Sequence, residues 1–341
     1  MNDIPLVSIV TPSYNQAQYL GQTIGSVLAQ SEVTSSSFQL EYLVVDGNST
    51  DGSQEVIRRY AGQLAWWVSE PDHGQAQAIN KGFQHSHGTI LGWLNSDDLY
   101  LPSAIQQAVR ALQDNPNLGM VFSDALIIDA EGHPINLLSF GNWGLQELIR
   151  FRVICQPAVF FRRSAWESVG GLDESYHYML DHLLWIKIAR YNGIGHVPGL
   201  WAAARQHPQA KNVSQAARFG EEAQRIYEWT LTQSDLAEYI AGATKEVRGG
   251  LYRLRARYLL EGGFYARALQ VYWQALQENP AFALKHWHRM VYALLSLMGG
   301  SGLREWYDRT HYHRNFARLR SLPLQGWPGI NLEEDWLDRD G

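Results

Sequence analysis

Short apolar segments alternate with helical patterns along the first 110 residues, and this alternation limits the possible folds more than any other feature of the chain. The segments are predominantly apolar along their length, as in strands buried on both faces of a sheet. A helical pattern follows each of them. Repetition of strand and helix predicts an α/β fold with a largely parallel sheet covered by helices on both faces. The predicted strands are 6–10, 42–45, 65–68 and 89–94.

Acidic residues follow three successive predicted strands. The carboxyl ends of parallel strands lie at the same edge of a sheet, and α/β sheets bind their ligands beyond that edge. A single carboxylate at such a position is more often a turn residue or a helix N-cap. Three successive acidic strand ends favour a site that binds a metal ion and hydroxyl groups. The carboxylates are Asp46 and Asp51, Glu70 and Asp72, and Asp97 and Asp98.

The segment Asn95-Ser96-Asp97-Asp98 ends the fourth apolar run with two adjacent carboxylates. Neighbouring carboxylates repel each other, and burying them unpaired costs on the order of several kcal/mol. The segment is therefore either a solvated turn that precedes the helix after Pro102, or a site for a cation. Hard divalent cations such as Mg²⁺ and Mn²⁺ take oxygen ligands from carboxylates of this kind.

The character of the sequence changes twice after the fourth strand. Between residues 116 and 207 it is mixed, with predicted strands at 120–122, 126–128 and 158–161, a turn at Glu131-Gly132 and a helix over 179–190. From about residue 215 only helical patterns remain. We therefore predict an α/β domain over 1–215 and an all-α C-terminal region over 216–341. Residues 251–284 resemble one tetratricopeptide-type helix hairpin, with Gly262-Gly263 at the turn.

Composition excludes several classes of protein. A net charge of −6 without a long basic run argues against nucleic-acid binding. The start of the chain lacks a signal-peptide pattern, and the late apolar run 291–298 is too short to span a bilayer. These features predict a cytoplasmic protein. Basic and aromatic residues precede that late run, so the C-terminal helices either pack internally, or contact a protein partner or the inner face of the membrane.

Five segments in a fixed order resemble the family 2 glycosyltransferases, which are nucleotide-sugar-dependent enzymes with the GT-A fold. The resemblance covers about residues 5–215 and does not extend to the C-terminal helices. It implies a UDP-, GDP- or dTDP-linked sugar donor, Mn²⁺ or Mg²⁺ as cofactor, and a glycan or lipid-linked acceptor in polysaccharide, surface glycan or glycolipid biosynthesis. The segments are VSIVTPSYNQAQYLGQTIGSVLAQ, YLVVDGNSTDGS, SEPDHGQAQAINKGF, LGWLNSDDLYLP and GGLDESYHYMLDHLLWIKIAR.

The resemblance also implies roles for individual residues on the donor side. The first loops would bind the nucleoside, with the acid after the second strand accepting a hydrogen bond from the base. Asn95-Ser96-Asp97 occupies the position of the family's Asp-x-Asp motif, which makes Asp97 the expected metal ligand and Asp98 a second one. His207 is either a third metal ligand or a structural histidine. The implied nucleotide-binding residues are Thr11, Pro12, Tyr14, Asp46, Asp72, Asn95, Ser96 and, near the diphosphate, Lys81.

The acceptor hydroxyl needs a base, because an alcohol is a poor nucleophile near neutral pH. The family places this base in a Glu-Asp-type pair shortly after a Gly-Gly-Leu-Asp-Glu segment. Here residues 170–174 supply that segment, Asp181 matches the base, and Leu180 replaces the usual Glu. The resemblance implies direct attack with inversion at the anomeric carbon. The alternative is that Asp181 only stabilises the N-terminus of a helix.

Other functions would require other features of the sequence. A dehydrogenase would need a Gly-x-Gly-x-x-Gly turn after the first strand, where this chain has Thr11-Pro12-Ser13. A processive polymerase would need several membrane spans. A catalytically inactive family member serving as an assembly or scaffold subunit stays open, because Asn95 replaces an acid. Two weaker hypotheses concern Trp201, which could stack on an acceptor sugar, and the pair His311 and His313, which has the spacing of a metal clip.

Overall fold

The structure, a computed structural model, describes residues 4–33, 37–211, 215–298, 319, 322, 324 and 326–332. Within these residues nine strands form one sheet. Residues 311 and 313, proposed above as a metal clip, lie outside the described residues. The strands are β1 (Leu6–Ser13), β2 (Gln39–Asp46), β3 (Trp66–Ser69), β4 (Ile90–Trp93), β5 (Leu99–Tyr100), β6 (Leu118–Ile128), β7 (Pro134–Leu138), β8 (Val159–Arg162) and β9 (Gly193–Arg205).

The sheet has a parallel half and a mixed half. Its strand order is β3-β2-β1-β4-β8-β6-β9-β5, with β7 paired to β6. Strands β1 to β4 pair in parallel, as the sequence predicts. Strand β8 then runs antiparallel to both β4 and β6, whereas β6 and β9 are parallel. The parallel sheet is therefore confirmed for the first four strands and gives way to mixed pairing beyond them.

Two details of the predicted strands are corrected. The apolar runs at 120–122 and 126–128 belong to one continuous strand, β6, because its central residues also pair with β9. Strand β9 itself was not predicted. Its first half, Gly193 to Leu200, is rich in glycine and only partly buried, so it carries no apolar run. The β6–β9 ladder rather than side-chain burial holds this half in place.

Helices cover both faces of the sheet. The amphipathic pattern of the third helix explains its position, since its buried residues Ala76, Ile79 and Phe83 recur at helical spacing. Gly82 permits the close approach of that helix to β1, because a Cβ there would lie 2.5 Å from Val10 Cγ1. The helices are α1 (Ala17–Val33), α2 (Ser53–Tyr60), α3 (Gln75–Gln84), α4 (Ala104–Asp114), α5 (Leu145–Ile149), α6 (Arg163–Ser168), α7 (Leu180–Tyr191), α8 (Ala216–Thr232), α9 (Ser234–Gly242), α10 (Thr244–Glu261), α11 (Tyr265–Glu278), α12 (Pro280–Ala283) and α13 (Trp287–Leu297).

The C-terminal helices share a hydrophobic core with the sheet. Ala223, Ile226 and Leu251 are buried in the same cluster as Leu184 of α7. Helices α10 and α11 form the predicted hairpin, and Gly263 at its turn has a φ of 78°. Such a backbone conformation favours glycine. The division at residue 215 stays a prediction, because the core is continuous across it. No helix in the described part of the chain is both long and apolar enough to cross a bilayer.

Trp201 does not face an acceptor site. Its side chain is fully buried, and its indole N–H donates to Gln107 Oε1 at 3.1 Å. The ring packs edge-on against Phe160 in the core on the α4 side of the sheet. The hypothesis that Trp201 stacks on an acceptor sugar was therefore wrong: this apolar run lies in a central strand rather than in a loop.

Candidate active site

The carboxyl ends of β1, β2 and β3 meet at one edge of the sheet. Asp46, the last residue of β2, lies opposite Ser13 of β1 and Ser69 of β3. Its carboxylate is fully buried and accepts hydrogen bonds from the Ser49 backbone N–H (2.9 Å), the Ser49 hydroxyl (2.5 Å) and the Ser69 hydroxyl (2.6 Å). The acid is therefore held rigidly at the edge where the sequence predicts nucleotide binding.

Tyr14 and Asp72 meet at Gly47, beside this edge, and the three residues are called the corner below. A Cβ at Gly47 would lie 2.9 Å from Asp72 Oδ2 and 3.2 Å from Tyr14 Cδ2, so only glycine lets the three residues meet. Tyr14 is 65% exposed, which leaves its ring free to contact a ligand. Thr11 and Pro12 of β1 are buried beneath it, with the Thr11 hydroxyl 2.9 Å from the Tyr42 hydroxyl. Both support the corner rather than face solvent.

Asp51 caps two helices, as expected for a turn acid. Its Oδ2 accepts from the backbone N–H of Ala17 at the start of α1 (2.8 Å). Its Oδ1 accepts from both the backbone N–H (3.0 Å) and the hydroxyl (2.6 Å) of Ser53 at the start of α2. Partial burial opposes ionisation, but these hydrogen bonds outweigh it and lower the pKa of Asp51. Its role is structural.

The two adjacent carboxylates of the β4–β5 turn point to different partners. Asp98 is buried, and its oxygens accept from the backbone N–H of Arg205 (2.9 Å) and the side-chain amide of Asn95 (3.2 Å). Burial and the neighbouring charge of Asp97 raise the pKa of Asp98 well above its usual value. Asp97 instead places Oδ2 3.0 Å from Nε2 of His207. Asp98 therefore anchors the turn, and Asp97 faces the site.

His207 is held close to Asp97 by its surroundings. Its side chain is nearly fully buried, its Nδ1 lies 3.2 Å from Gln209 Oε1, and its ring packs against Tyr19 with centroids 4.9 Å apart. The hydrogen bond to Asp97 raises the pKa of His207 although burial opposes it. Carboxylate oxygen and imidazole nitrogen are both metal-ligand groups, so this pair can hold a divalent cation.

Arg205, at the end of β9, holds the β4–β5 turn in place. Its guanidinium donates to the backbone carbonyls of Asp97 (3.0 Å), Asp129 (3.2 Å) and Ala130 (3.0 Å), and lies 4.8 Å above the centre of the Tyr19 ring. Sequence reasoning missed this residue because it did not predict β9. The run Ala-Ala-Ala-Arg before His207 is the one signal that could have revealed it.

A second group of possible metal ligands lies on the side of Arg205 away from Asp97 and His207. Among the described residues, Asp129, Glu131 and His133 each offer a ligand atom within 4.8 Å of the others. Asp129 also accepts from the backbone N–H groups of Glu131 (3.0 Å) and His133 (2.8 Å), and its Oδ2 lies 2.9 Å from His133 Nδ1. These hydrogen bonds also shape the β6–β7 turn, so the group has a structural role whether or not it binds a cation.

Lys211 rather than Lys81 is linked to the Asn95 turn, through the side chain of Gln75. Asn95 Oδ1 accepts from the Gln75 side-chain amide (2.6 Å), and Gln75 Oε1 accepts from Lys211 Nζ (3.2 Å). Desolvation lowers the pKa of Lys211, whereas the charges of Glu222, Asp97 and Asp72 oppose that effect. Lys81 lies in the last turn of α3, where its ammonium pairs with Glu70 at 2.5 Å. Sequence reasoning missed Lys211 because no motif contains it.

Asp181 lies in the first turn of α7, where its Oδ1 accepts from the backbone N–H of His182 at 2.8 Å. Burial is the main cause that raises the pKa of Asp181 to about 6, with a smaller contribution from the charge of Glu222. The loop just before α7 touches the donor side, since a Cβ at Gly74 would lie 3.3 Å from His177 Nδ1. Asp181 is thus carried by the segment that faces the Asp72–Gly74 loop.

Comparison with known proteins identifies the class. The sequence model of Glycosyl transferase family 2 matches residues 8–165. An uncharacterised glycosyltransferase of Mycobacterium tuberculosis is 30% identical over 187 residues, which is 53% of this chain and 68% of that protein. The chondroitin synthase of Escherichia coli is 29% identical over 199 residues, which is 57% of this chain and 28% of that protein. The chain belongs to glycosyltransferase family 2, as its motifs predict.

Solved structures confirm the fold class. The mannosyltransferase PcManGT from Pyrobaculum calidifontis, solved with GDP-Man and Mn²⁺, superposes with a TM-score of 0.57 over 95% of this chain and 89% of that chain. The sequence identity of 20% makes this a likeness of fold. The mixed sheet and its helices are those of a GT-A glycosyltransferase. The chain spans 60% or less of the length of several curated relatives.

Proposed function

We propose that this chain is an inverting, metal-dependent glycosyltransferase that moves one sugar from a nucleotide diphosphate to an acceptor hydroxyl. The observation that carries the proposal is the 3.0 Å pairing of Asp97 Oδ2 with His207 Nε2 at the ligand-binding edge of the sheet. A carboxylate and an imidazole share this point, and the ammonium of Lys211 interacts with the charges of both Asp97 and Asp72. The family suggests polysaccharide, surface glycan or glycolipid assembly as the setting.

The carboxylate oxygen of Asp97 and the imidazole nitrogen of His207 are suitable ligand atoms for a divalent cation. A bound cation would neutralise negative charge that develops on the diphosphate leaving group. An imidazole ligand favours a transition-metal ion such as Mn²⁺ over Mg²⁺, and the structurally similar mannosyltransferase contains Mn²⁺. Asp98 would not be a ligand, since its buried carboxyl is anchored to the backbone N–H of Arg205 and burial raises its pKa well above the usual value, which favours the uncharged form. A cation competes with the proton on His207, so we expect binding to strengthen as pH rises.

The nucleotide would lie against the edge formed by β1, β2 and β3. Asp46 would accept from the base in place of one of its serine hydroxyl hydrogen bonds. The exposed Tyr14 ring would stack on the base, and Asp72 would face the ribose side of the corner. Asn95 and Ser96 would approach the ribose, although the Asn95 side chain is also bonded to Gln75 and Asp98. We assign the diphosphate contact to Lys211, because Lys81 would first have to leave Glu70.

Asp181 would act as the base. A carboxyl with a pKa of about 6 is ionised at neutral pH and more basic than an ordinary aspartate. It can accept the proton of the acceptor hydroxyl as that oxygen attacks the anomeric carbon. Attack from the side opposite the leaving diphosphate inverts the anomeric configuration. Activity should therefore fall as pH drops through about 6.

Donor binding tests this proposal without knowledge of the acceptor. UDP, GDP, dTDP and their sugars are each added with and without Mn²⁺, and the melting temperature is recorded. A ligand that binds only the native state stabilises it by about 2.7 kcal/mol at a hundredfold excess over its Kd. We expect one nucleotide class to raise the melting temperature, and to do so more strongly with Mn²⁺. No shift with any nucleotide would contradict the donor site.

A second candidate function is an inactive nucleotide-binding subunit that serves in assembly. It is favoured by Asn95, whose amide replaces the first acid of the Asp-x-Asp motif and is engaged with Gln75 and Asp98. This candidate also predicts nucleotide-dependent stabilisation. It differs in predicting no turnover of the stabilising donor, so the two functions separate when released nucleotide is measured over time.

The C-terminal helices carry a surface suited to an anionic membrane. One helical stripe is exposed and apolar, and it continues over residues 284–298 at spacings of three and four. Residues 248–298 contain seven Lys or Arg and two Glu, in a chain whose net charge is −6. Of these cations Arg267 and Lys285 are exposed, whereas Arg248 and Arg257 pair with the two Glu. We propose that this basic, apolar surface binds peripherally to anionic lipid. The stripe consists of Leu284, Trp287, Val291, Leu294 and Met298.

Vesicle flotation tests this contact. The protein is mixed with vesicles of phosphatidylcholine alone or of equal parts phosphatidylcholine and phosphatidylglycerol. We expect flotation with the anionic vesicles, weakened by high salt and lost in Trp287→Glu, which places a charge in the stripe. Tyr191→Glu is the matched control, because Tyr191 is an exposed aromatic residue on α7 outside the stripe. Equal flotation of wild type and Trp287→Glu would refute the membrane surface.

A further inference from the structure

A buried carboxylate of the C-terminal helices holds the segment that carries Asp181. Glu222 of α8 is 5% exposed and accepts hydrogen bonds from three consecutive backbone N–H groups. Its Oε1 accepts from His177 (2.7 Å), and its Oε2 accepts from Tyr178 (2.8 Å) and Met179 (2.7 Å). Helix α7 begins at the next residue and presents Asp181 in its first turn. One side chain thus fixes the entry of this helix.

Other contacts fix the same segment to α8 on one side and to the donor loop on the other. The Tyr178 ring packs against Phe219 with centroids 5.3 Å apart, and Arg218 donates to the Tyr178 hydroxyl at 2.9 Å. On the opposite side His177 Nδ1 approaches Gly74, which follows Asp72 at the donor edge. The distance between the donor edge and Asp181 therefore depends on how α8 holds residues 177–179.

We propose that Glu222 is the positioning residue of the acceptor base, and that it places the first turn of α7 at the donor edge while adding a negative charge beside Asp181. This inference rests on the proposed role of Asp181. The resemblance to family 2 implies a Glu beside the base, and this chain has Leu180 there. A carboxylate from the C-terminal helices lies close to that position in space. The C-terminal helical region would then contribute to catalysis by positioning Asp181.

The charges around Asp181 support this role. The groups that interact with it are Glu222 from α8, Tyr258 from α10 and Cys155 from the loop before β8. Burial raises the pKa of both Tyr258 and Cys155, so these two are neutral near pH 6. His182 on α7 itself is neutral there too, because burial lowers its pKa to about 4. Lys211 faces Glu222 from the other side of the site. Among the residues that the structure describes, Glu222 is the charged neighbour that acts on Asp181 directly.

The test compares Glu222→Gln with Glu221→Gln, the same change at an exposed position of the same helix. The pKa of Asp181 is measured by ¹³C NMR of protein labelled at the aspartate carboxyl carbons, with the signal assigned by its loss in Asp181→Asn. In Glu222→Gln we expect this pKa to decrease but to stay above 3.8, because burial, the main cause of its shift, is unchanged; kcat should fall about tenfold or more with little change in donor KM. Glu221→Gln should match wild type.

Two further measurements complete the test. Glu222→Asp keeps the charge but shortens the side chain, so Asp181 should keep its raised pKa while kcat falls. If Glu222→Gln does not fold, hydrogen exchange of wild type must show protected amides at residues 177–179. A folded Glu222→Gln with an unchanged Asp181 pKa overturns the proposal, as do unprotected amides. The NMR readout does not depend on turnover, so an inactive wild type would contradict the proposed function and leave this result interpretable.

Discussion

Asp97→Asn should lower the rate of sugar transfer by about 10²–10³-fold, because it removes the charged ligand of the proposed cation. Asparagine has the same size as aspartate and can still accept from His207, so the turn should keep its shape. The pKa of His207, which the hydrogen bond to Asp97 raises, should then decrease toward its usual value. The measurements are initial rates at saturating Mn²⁺ and the Kd for Mn²⁺ obtained from the signal of free Mn²⁺ in electron paramagnetic resonance.

Asp129→Asn is the matched control for this prediction. Asp129 belongs to the other group of possible ligands, with Glu131 and His133, on the far side of Arg205. If the cation lies at Asp97 and His207, this control should retain Mn²⁺ affinity and lose only some stability of the β6–β7 turn. Loss of Mn²⁺ binding in Asp129→Asn with unchanged binding in Asp97→Asn would move the metal site to the other group.

Asp181→Asn should lower kcat by about 10²–10⁴-fold and stabilise the protein at the same time. Folding raises the pKa of Asp181 from 3.8 to about 6, so the native state disfavours the ionised form. Protonated Asp181 is more favourable in the native state than ionised Asp181, and this contribution to the free energy of unfolding is complete below pH 3.8. It is lost as pH rises through about 6. At pH 8 wild-type Asp181 is ionised in a buried position. The uncharged asparagine removes the free-energy cost of that buried charge, on the order of 2–3 kcal/mol.

The stabilising effect has a clear control and a clear pH dependence. Asp173→Asn changes an acid in the same segment whose pKa is lowered, because hydrogen bonds from Ser175 outweigh its partial burial. It should destabilise the protein slightly and leave kcat unchanged. Melting temperatures are compared at pH 8 and pH 4.5, and the gain in Asp181→Asn should shrink at the lower pH. An unchanged kcat in Asp181→Asn would exclude this residue as the base.

Local patterns were sufficient to predict the first half of the fold. The apolar runs of β1 to β4 and the helices between them are encoded in contiguous segments, as is the α10–α11 hairpin with Gly262-Gly263 at its turn. The acidic strand ends also follow from the chain order, because parallel strands bring their carboxyl ends to one edge. For the same reason the order of strands and helices is enough to predict that Asp46, Asp72 and Asp97 lie near one another.

The rest depended on contacts between distant segments. Asp97 and Asp98 are indistinguishable in sequence, and only the backbone of Arg205 and the side chain of His207 give them different partners. The sequence left His207 open between ligand and structural residue, and the structure places its Nε2 against Asp97. Lys211 and Glu222 belong to no motif. Glu222 becomes relevant only when α8 packs against the segment before α7, and Lys211 only when it reaches Gln75 of α3. No local pattern encodes either contact.

The anomeric configuration of the first product tests the central claim most directly. Once the binding panel has identified the donor class, an α-linked donor is incubated with the protein and Mn²⁺, with water as the acceptor, and the released sugar is followed by ¹H NMR before mutarotation. An inverting enzyme with Asp181 as its base predicts that the β-anomer appears first and that Asp181→Asn releases neither anomer at a comparable rate. Release of the α-anomer first, or no turnover of a donor that binds, would contradict the account.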